Sequence, residues 1–209
     1  MIRNKKGELA VNTKERAEIW KEYFDKLLNT EEPKELIKIG NREMIEVEEL
    51  NIEDVKTAVR DLKNNKVAGT DGIHLELIKY GGNKLLNRIY ELVRQIWEEE
   101  RIPEEWKETI IVPIYKRGDR DRCENYRGIV LENAPYKIFV NIILLKIKPY
   151  IEKITGDCQN RFREGSSVIG NIFVLQTINE KIWECNQSVQ YLFIDFQKAY
   201  DSIRGLFRK

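Results

Sequence analysis

Histidine is almost missing from this chain: His74 is the single imidazole among 209 residues. It cannot build a histidine metal cluster, and no serine or cysteine near it suggests a nucleophile pair. Cysteine is scarce as well. Cys123, Cys158 and Cys185 are odd in number and widely spaced, with no C-x-x-C pair. That argues against a disulfide framework or a zinc site and for a reducing, intracellular setting. Charge of one sign is lacking too, since 36 Lys and Arg face 35 Asp and Glu for a net charge of +1. With no global basic field, any nucleic-acid contact must come from local clusters. Long apolar runs are absent. The longest, Ile138 to Leu145, is interrupted by Asn141 and falls far short of the roughly 20 residues a membrane span needs. The Met1–Lys6 segment leads into no apolar stretch, so neither a signal peptide nor a membrane partner is expected. Internal repeats and low-complexity segments are absent as well.

What is present is an alternation of periodic segments, with enough hydrophobic residues (42%) for a core. Asn12 with Glu15 has the spacing of a capping box. Ala17, Trp20, Tyr23, Phe24, Leu27 and Leu28 then recur at helical spacing. Thr30 to Glu49, charged and irregular, reads as a linker. Asn51 and Asp54 predict a second capped helix with Val55, Ala58, Val59 and Leu62 on one face. A loop, Asn64 to Gly72, comes next, then a short helix around His74–Tyr80 and a longer one carrying Leu85, Ile89, Leu92, Val93, Ile96 and Trp97. After Trp106 the pattern changes to β-branched. Thr109–Tyr115 and Tyr126–Leu131 predict a hairpin with a charged tip, and Pro113 indicates a sheet edge or a bulge. A long helix starts near Asn133, with Pro135 in its first turn and a bend or interruption at Pro149. A last helix spans Ser167 to Glu184, and Gln190 to Ile194 reads as a buried strand. Helices, hairpin, helices and one core strand make an α+β pattern.

Three places could carry chemistry. Asp195 stands at the end of the last apolar segment. A strand-end carboxylate suits metal-assisted phosphoryl transfer, and it equally suits a strand-terminating turn bonded to its own backbone. Lys116, Arg117, Arg120, Arg122 and Arg127 cluster at the hairpin tip, diluted by Asp119, Asp121 and Glu124. This is either a solvated loop or an arm over a triphosphate, with Lys116 and Arg127 as the cations at its strand ends. The run Gln159 to Ser167 is a helix cap or a template-backbone contact through Arg161 and Arg163. Ala68-Gly69-Thr70-Asp71-Gly72 lacks the Walker pattern and reads as a turn between helices with Asp71 capping the helix that follows.

In order, these segments resemble the reverse transcriptase of non-LTR (LINE-type) retrotransposons. The resemblance is carried by Trp20–Asn29, Lys66–Ile73 with Glu76–Lys79, Ile102–Lys107 through Pro113–Asp119, Asn125–Leu131 and Phe193–Ser202. It implies a helix-rich fingers region with a β-hairpin and the first strand of a polymerase palm, an incomplete right-hand polymerase fold. Residues 1–50 would be a helical pre-polymerase segment and linker, and 51–209 a partial reverse transcriptase domain. By position it implies Asp195 as catalytic metal ligand for Mg²⁺, beside the Phe196 carbonyl. Tyr200 falls at the sugar-discriminating position, and Lys116 and Arg127 at triphosphate contacts. RNA template, DNA primer and deoxynucleoside triphosphate are the implied partners. The chain departs from the family at Ala68 and Thr70 (usually Pro), Arg161 (usually Gly) and Gly170 (usually Asp). The family's Tyr/Phe-Ala-Asp-Asp motif does not occur in these 209 residues. The expectation is therefore a polymerase fragment inactive alone, with self-association through an unpaired palm strand; the alternative is a non-enzymatic RNA- or protein-binding module.

Overall fold

A computed structural model describes residues 2–4, 7–29, 48–156, 158–160, 165 and 167–195. Among them are six α-helices and one two-stranded antiparallel sheet, a mixed α+β arrangement. Two compact units divide the chain, a first that takes in Met1–Ile142 and a second over Ile143–Phe196.

In the first unit, α1 spans Thr13–Leu28 and starts where Asn12 accepts the Glu15 N–H at 2.8 Å. The return bond of the expected box lands one residue early, from the Val11 N–H to the Glu15 carboxylate at 2.9 Å. The box at α2 (Ile52–Arg60) is complete: Asn51 and Asp54 exchange bonds of 2.9 and 3.0 Å. The apolar face behind it, Val55, Ala58, Val59 and Leu62, is buried. It packs against α3 (Leu75–Lys79) and α4 (Gly82–Glu99), which contributes Ile89, Val93 and Ile96 at spacings of four and three. Burying such side chains stabilises by about 1.5–3 kcal/mol each, so this stripe is what seats the three helices. Lys79 donates to the Leu62 carbonyl at 2.7 Å, and the Asn65 N–H donates to the Glu76 carboxylate. The latter bond holds the Glu76 carboxyl below its ordinary range.

Strands β1 (Ile110–Tyr115) and β2 (Tyr126–Leu131) pair without a break from Ile110 opposite Leu131 to Tyr115 opposite Tyr126. Pro113 therefore sits in a regular edge strand opposite Gly128, not at a bulge. A 3₁₀ turn, Glu104–Trp106, sets Trp106 against Tyr136 and Phe139, with ring centroids 6.0 and 6.2 Å away. Those two rings lie on α5 (Ala134–Ile154), whose Ile138 and Ile142 are fully buried. The helix carries Pro135 in its first turn and runs on through Pro149 to Ile154, so of the bend or interruption expected there the interruption does not occur.

In the second unit, α6 (Val168–Glu184) begins where Ser167 accepts the Ile169 N–H at 3.2 Å. Asn160 bonds to Asn171, and the Tyr191 hydroxyl donates to Asn179 at 2.9 Å. The strand expected at Gln190–Ile194 is not formed. These residues are irregular, and Leu192, Phe193 and Ile194 are 85%, 81% and 73% exposed. A strand exists only with a ladder partner, and the two strands among the described residues pair with each other. The strand edge expected to promote self-association is accordingly not present among the described residues.

Candidate functional site

Alternation along the hairpin sorts its residues onto two faces. Ile111, Pro113, Tyr115, Tyr126, Gly128 and Val130 share one face, and α1 covers part of it. Trp20 lies edge-on to Tyr126 at 5.0 Å and stacked with Phe24 at 5.7 Å. Gly128 has no side chain because Phe24 occupies the place: a Cβ there would come within 2.7 Å of the Phe24 ring. The other face carries Ile110, Val112, Ile114, Arg127, Ile129 and Leu131, with Ile114 directly opposite Arg127. Lys116 follows Ile114 on this face, its N–H still in the ladder at 2.9 Å from the Asn125 carbonyl. Ile114 and Ile129 are 51% and 42% exposed. The open face is thus an apolar strip with a cation at each strand end.

Most of the neighbouring cations are engaged, Arg117 excepted. Arg122 pairs with Asp119 and Glu124, Arg3 pairs with Asp121, and Arg120 lies over the Tyr115 ring at 5.0 Å. Lys116 and Arg127 have no carboxylate partner among the described residues, and both are exposed. The tip between them is well bonded. Tyr115 donates to the Gly118 carbonyl, Tyr126 to the Arg120 carbonyl at 2.7 Å, and the Asn125 amide to the Asp119 carbonyl at 2.8 Å. Cys123 lies half-buried in the tip, and burial pushes its thiol up, away from the reactive thiolate.

The loop Ala68–Gly72 is structural. The Asp71 carboxylate accepts the Ala134 N–H at 2.8 Å, capping α5 from 63 residues away, and also accepts the Ile73 N–H at 3.1 Å. Asn133, nine-tenths buried, accepts from the Thr70 hydroxyl and the Asp71 N–H and donates to the Glu105 carbonyl. A proline at Thr70 could not make that hydroxyl bond. A Cβ on Gly69 would lie 2.5 Å from the Glu132 carbonyl group, so the loop and the start of α5 touch backbone to backbone.

Asp195 is exposed and irregular at the end of the described segment. Phe196, Tyr200, Arg161 and Arg163 lie outside the described residues. No three His, Cys, Asp or Glu side chains come together as a metal-binding group among the described residues. One exposed carboxylate is not the donor set that a Mg²⁺ ion needs, so these residues do not by themselves fit the ion. No helix among the described residues is long and apolar enough to cross a membrane. Sequence reading had placed Lys116 and Arg127 at the hairpin ends but had missed Arg3. Gly7, whose N–H bonds the Asn4 carbonyl and whose φ is +84°, is the one local signal for it in the sequence.

No protein-family model matches the chain. It is 24% identical over 219 aligned residues to a probable RNA-directed DNA polymerase from transposon BS of Drosophila melanogaster, covering 97% of this chain and 24% of that protein. A putative 115 kDa protein in the type-1 retrotransposable element R1DM of the same fly is 28% identical over 167 residues, covering 74% and 15%. An uncharacterized 149 kDa protein of transposon TX1 from Xenopus laevis is 21% identical over 154 residues, covering 74% and 12%. The chain spans between about an eighth and a quarter of the length of these curated relatives.

Proposed function

We propose, on the premise that the homologues of this chain are proteins of non-LTR retrotransposons at low identity over most of its length, that it is part of an RNA-directed DNA polymerase. In that reading residues 1–50 are the pre-polymerase segment and linker, and 51–209 are the fingers with the start of the palm. One observation carries it: Lys116 and Arg127, both without a carboxylate partner among the described residues, share the open face of the hairpin with Ile114 and Ile129. An apolar floor with a cation at each strand end suits a nucleotide, base or sugar over the isoleucines and phosphates between the charges. Arg127 offers a planar fork and Lys116 a compact charge, which together can grip a triphosphate.

The reaction of such a polymerase joins a primer 3′-hydroxyl to the α-phosphate of a deoxynucleoside triphosphate opposite an RNA template, breaking the bond to the β-phosphate and releasing pyrophosphate. This chain's own contribution is to bind and orient the triphosphate. Asp195, the Phe196 carbonyl and Tyr200 remain the sequence-based candidates for the Mg²⁺-facing and sugar-facing positions.

Titration with a deoxynucleoside triphosphate tests this reading. Lys116→Ala and Arg127→Ala should each weaken binding by about tenfold, the loss expected for one charge-assisted contact, and salt should weaken it further. Equal affinity in wild type and both variants would refute the phosphate reading. Salt-sensitive RNA binding that depends on the same two residues, with no triphosphate affinity, would favour a non-enzymatic RNA-binding module.

A further inference from the structure

Residues 2–4 and 7–10 match no motif, yet they are built into the first unit. Ile2 and Ala10 are buried, at 5% and 3% exposure. Around them the chain doubles back: the Ala10 N–H donates to the Ile2 carbonyl at 2.8 Å, and the Asn4 N–H to the Glu8 carbonyl at 2.9 Å. One residue of this small hairpin reaches across to the charged tip between β1 and β2. The Arg3 main-chain N–H donates to the Asp121 carbonyl at 2.8 Å, its guanidinium donates to the Asp121 carboxylate, and the same guanidinium bonds the Gly7 carbonyl at 3.0 Å. The other end of the small hairpin runs into the cap of α1, whose Trp20 and Phe24 lie on the covered face of the sheet.

The hairpin 110–131 is therefore held at two points, its sheet by α1 and its tip by Arg3. From Asp121 the bonding continues on both sides toward Lys116 and Arg127. The neighbouring Arg120 carbonyl accepts the Tyr126 hydroxyl, next to Arg127. The Asp119 carbonyl accepts the Asn125 amide, and the Asn125 carbonyl accepts the Lys116 N–H. We infer that Arg3 is a positioning residue: it clasps the tip and fixes the spacing at which Lys116 and Arg127 meet a ligand. Its role toward a triphosphate rests on the function proposed above; the clasp itself does not.

An exposed ion pair contributes little by itself. This one differs in two respects. A main-chain bond from the same residue fixes the geometry, and the chain through α1 keeps Arg3 near its target at high effective concentration.

The test is hydrogen–deuterium exchange on the full chain, comparing wild type, Arg3→Asp, Asp121→Arg and the doubly reversed variant. Each single reversal should speed exchange of the amides of residues 117–125 by about two- to fivefold, with α2 and α4 unchanged. The double variant, with the pair restored in the opposite sense, should return toward wild type. Unchanged exchange in the single variants overturns the clasp, as does a double variant no slower than either single. Binding of inorganic tripolyphosphate then reads the positioning role, with Arg3→Ala expected to raise Kd about two- to fivefold and Arg3→Lys to restore most of it. If Lys116→Ala weakens this binding and Arg3→Ala does not, the positioning role is wrong. If Lys116→Ala has no effect, the phosphate reading fails and takes the positioning role with it, while exchange still decides the clasp.

Discussion

Asn133 joins three segments through one amide. Its oxygen receives the Thr70 hydroxyl and the Asp71 N–H at 2.7 and 3.1 Å, and its nitrogen reaches the Glu105 carbonyl at 2.9 Å. Replacing it with alanine would take the partner from the Thr70 hydroxyl, the Asp71 N–H and the Glu105 carbonyl, all in part-buried bonds, at a cost of about 1–2 kcal/mol. A urea titration should show the midpoint falling with an unchanged slope; a shift worth less than about 0.5 kcal/mol would mean that water replaces the amide. The sequence placed a helix start at Asn133 and a turn at Ala68–Gly72, and both are found. It could not show that the two are bonded to each other. Their partners lie 28 to 63 residues apart, and no local pattern encodes such a contact. Gly69 was equally opaque, because the backbone it makes room for belongs to Glu132.

At the scale of elements, what could be read was whatever is written within one turn or one strand. The Asn51–Asp54 box, the Ile89–Val93–Ile96 stripe and the hairpin strands are local patterns, and the structure has them. Tertiary bonds were not legible, and the Arg3–Asp121 clasp is the clearest case. It should also depend on pH. The Arg3 guanidinium, with Arg122 nearby, holds the Asp121 carboxyl below its ordinary value. A depressed carboxylate pKa makes the clasp fully effective above the ordinary aspartate value of about 3.9. It is lost as pH falls below that, through the lowered pKa. Amide shifts of the tip followed by NMR should move with a midpoint below about 3.9. In Asp121→Asn the tip should already resemble the acid form at neutral pH. A midpoint at or above the ordinary value would contradict the pairing.

At the scale of the whole molecule, the two units differ in how they treat apolar surface. The first buries stripes on α2, α4 and α5. The second has no buried residue on α6, and Ile169, Phe173 and Trp183 are 74%, 67% and 86% exposed. Helical periodicity correctly gave α6 its bounds but not its surroundings, since a helix apolar on most sides has no preferred face. The expected strand at Gln190–Ile194 failed for a related reason: its residues suit a sheet interior, and a single segment cannot supply the neighbouring strands. Exposed apolar area on this scale binds hydrophobic dyes, so Phe173→Glu with Leu192→Lys should lower dye binding and raise solubility, with thermal stability unchanged. A lowered Tm would show that these side chains are packed.

The central claim, that the open face of the hairpin is where this chain meets a nucleotide, is tested most directly by photocrosslinking. A deoxynucleoside triphosphate with a photoreactive base would be crosslinked to the full chain and its adducts mapped by mass spectrometry. Adducts should fall on Ile114, Lys116, Arg127 and Ile129, and disappear with excess unlabelled triphosphate. Competable adducts on the α1-covered face, at Tyr115 and Tyr126, or on α6 instead would contradict the account.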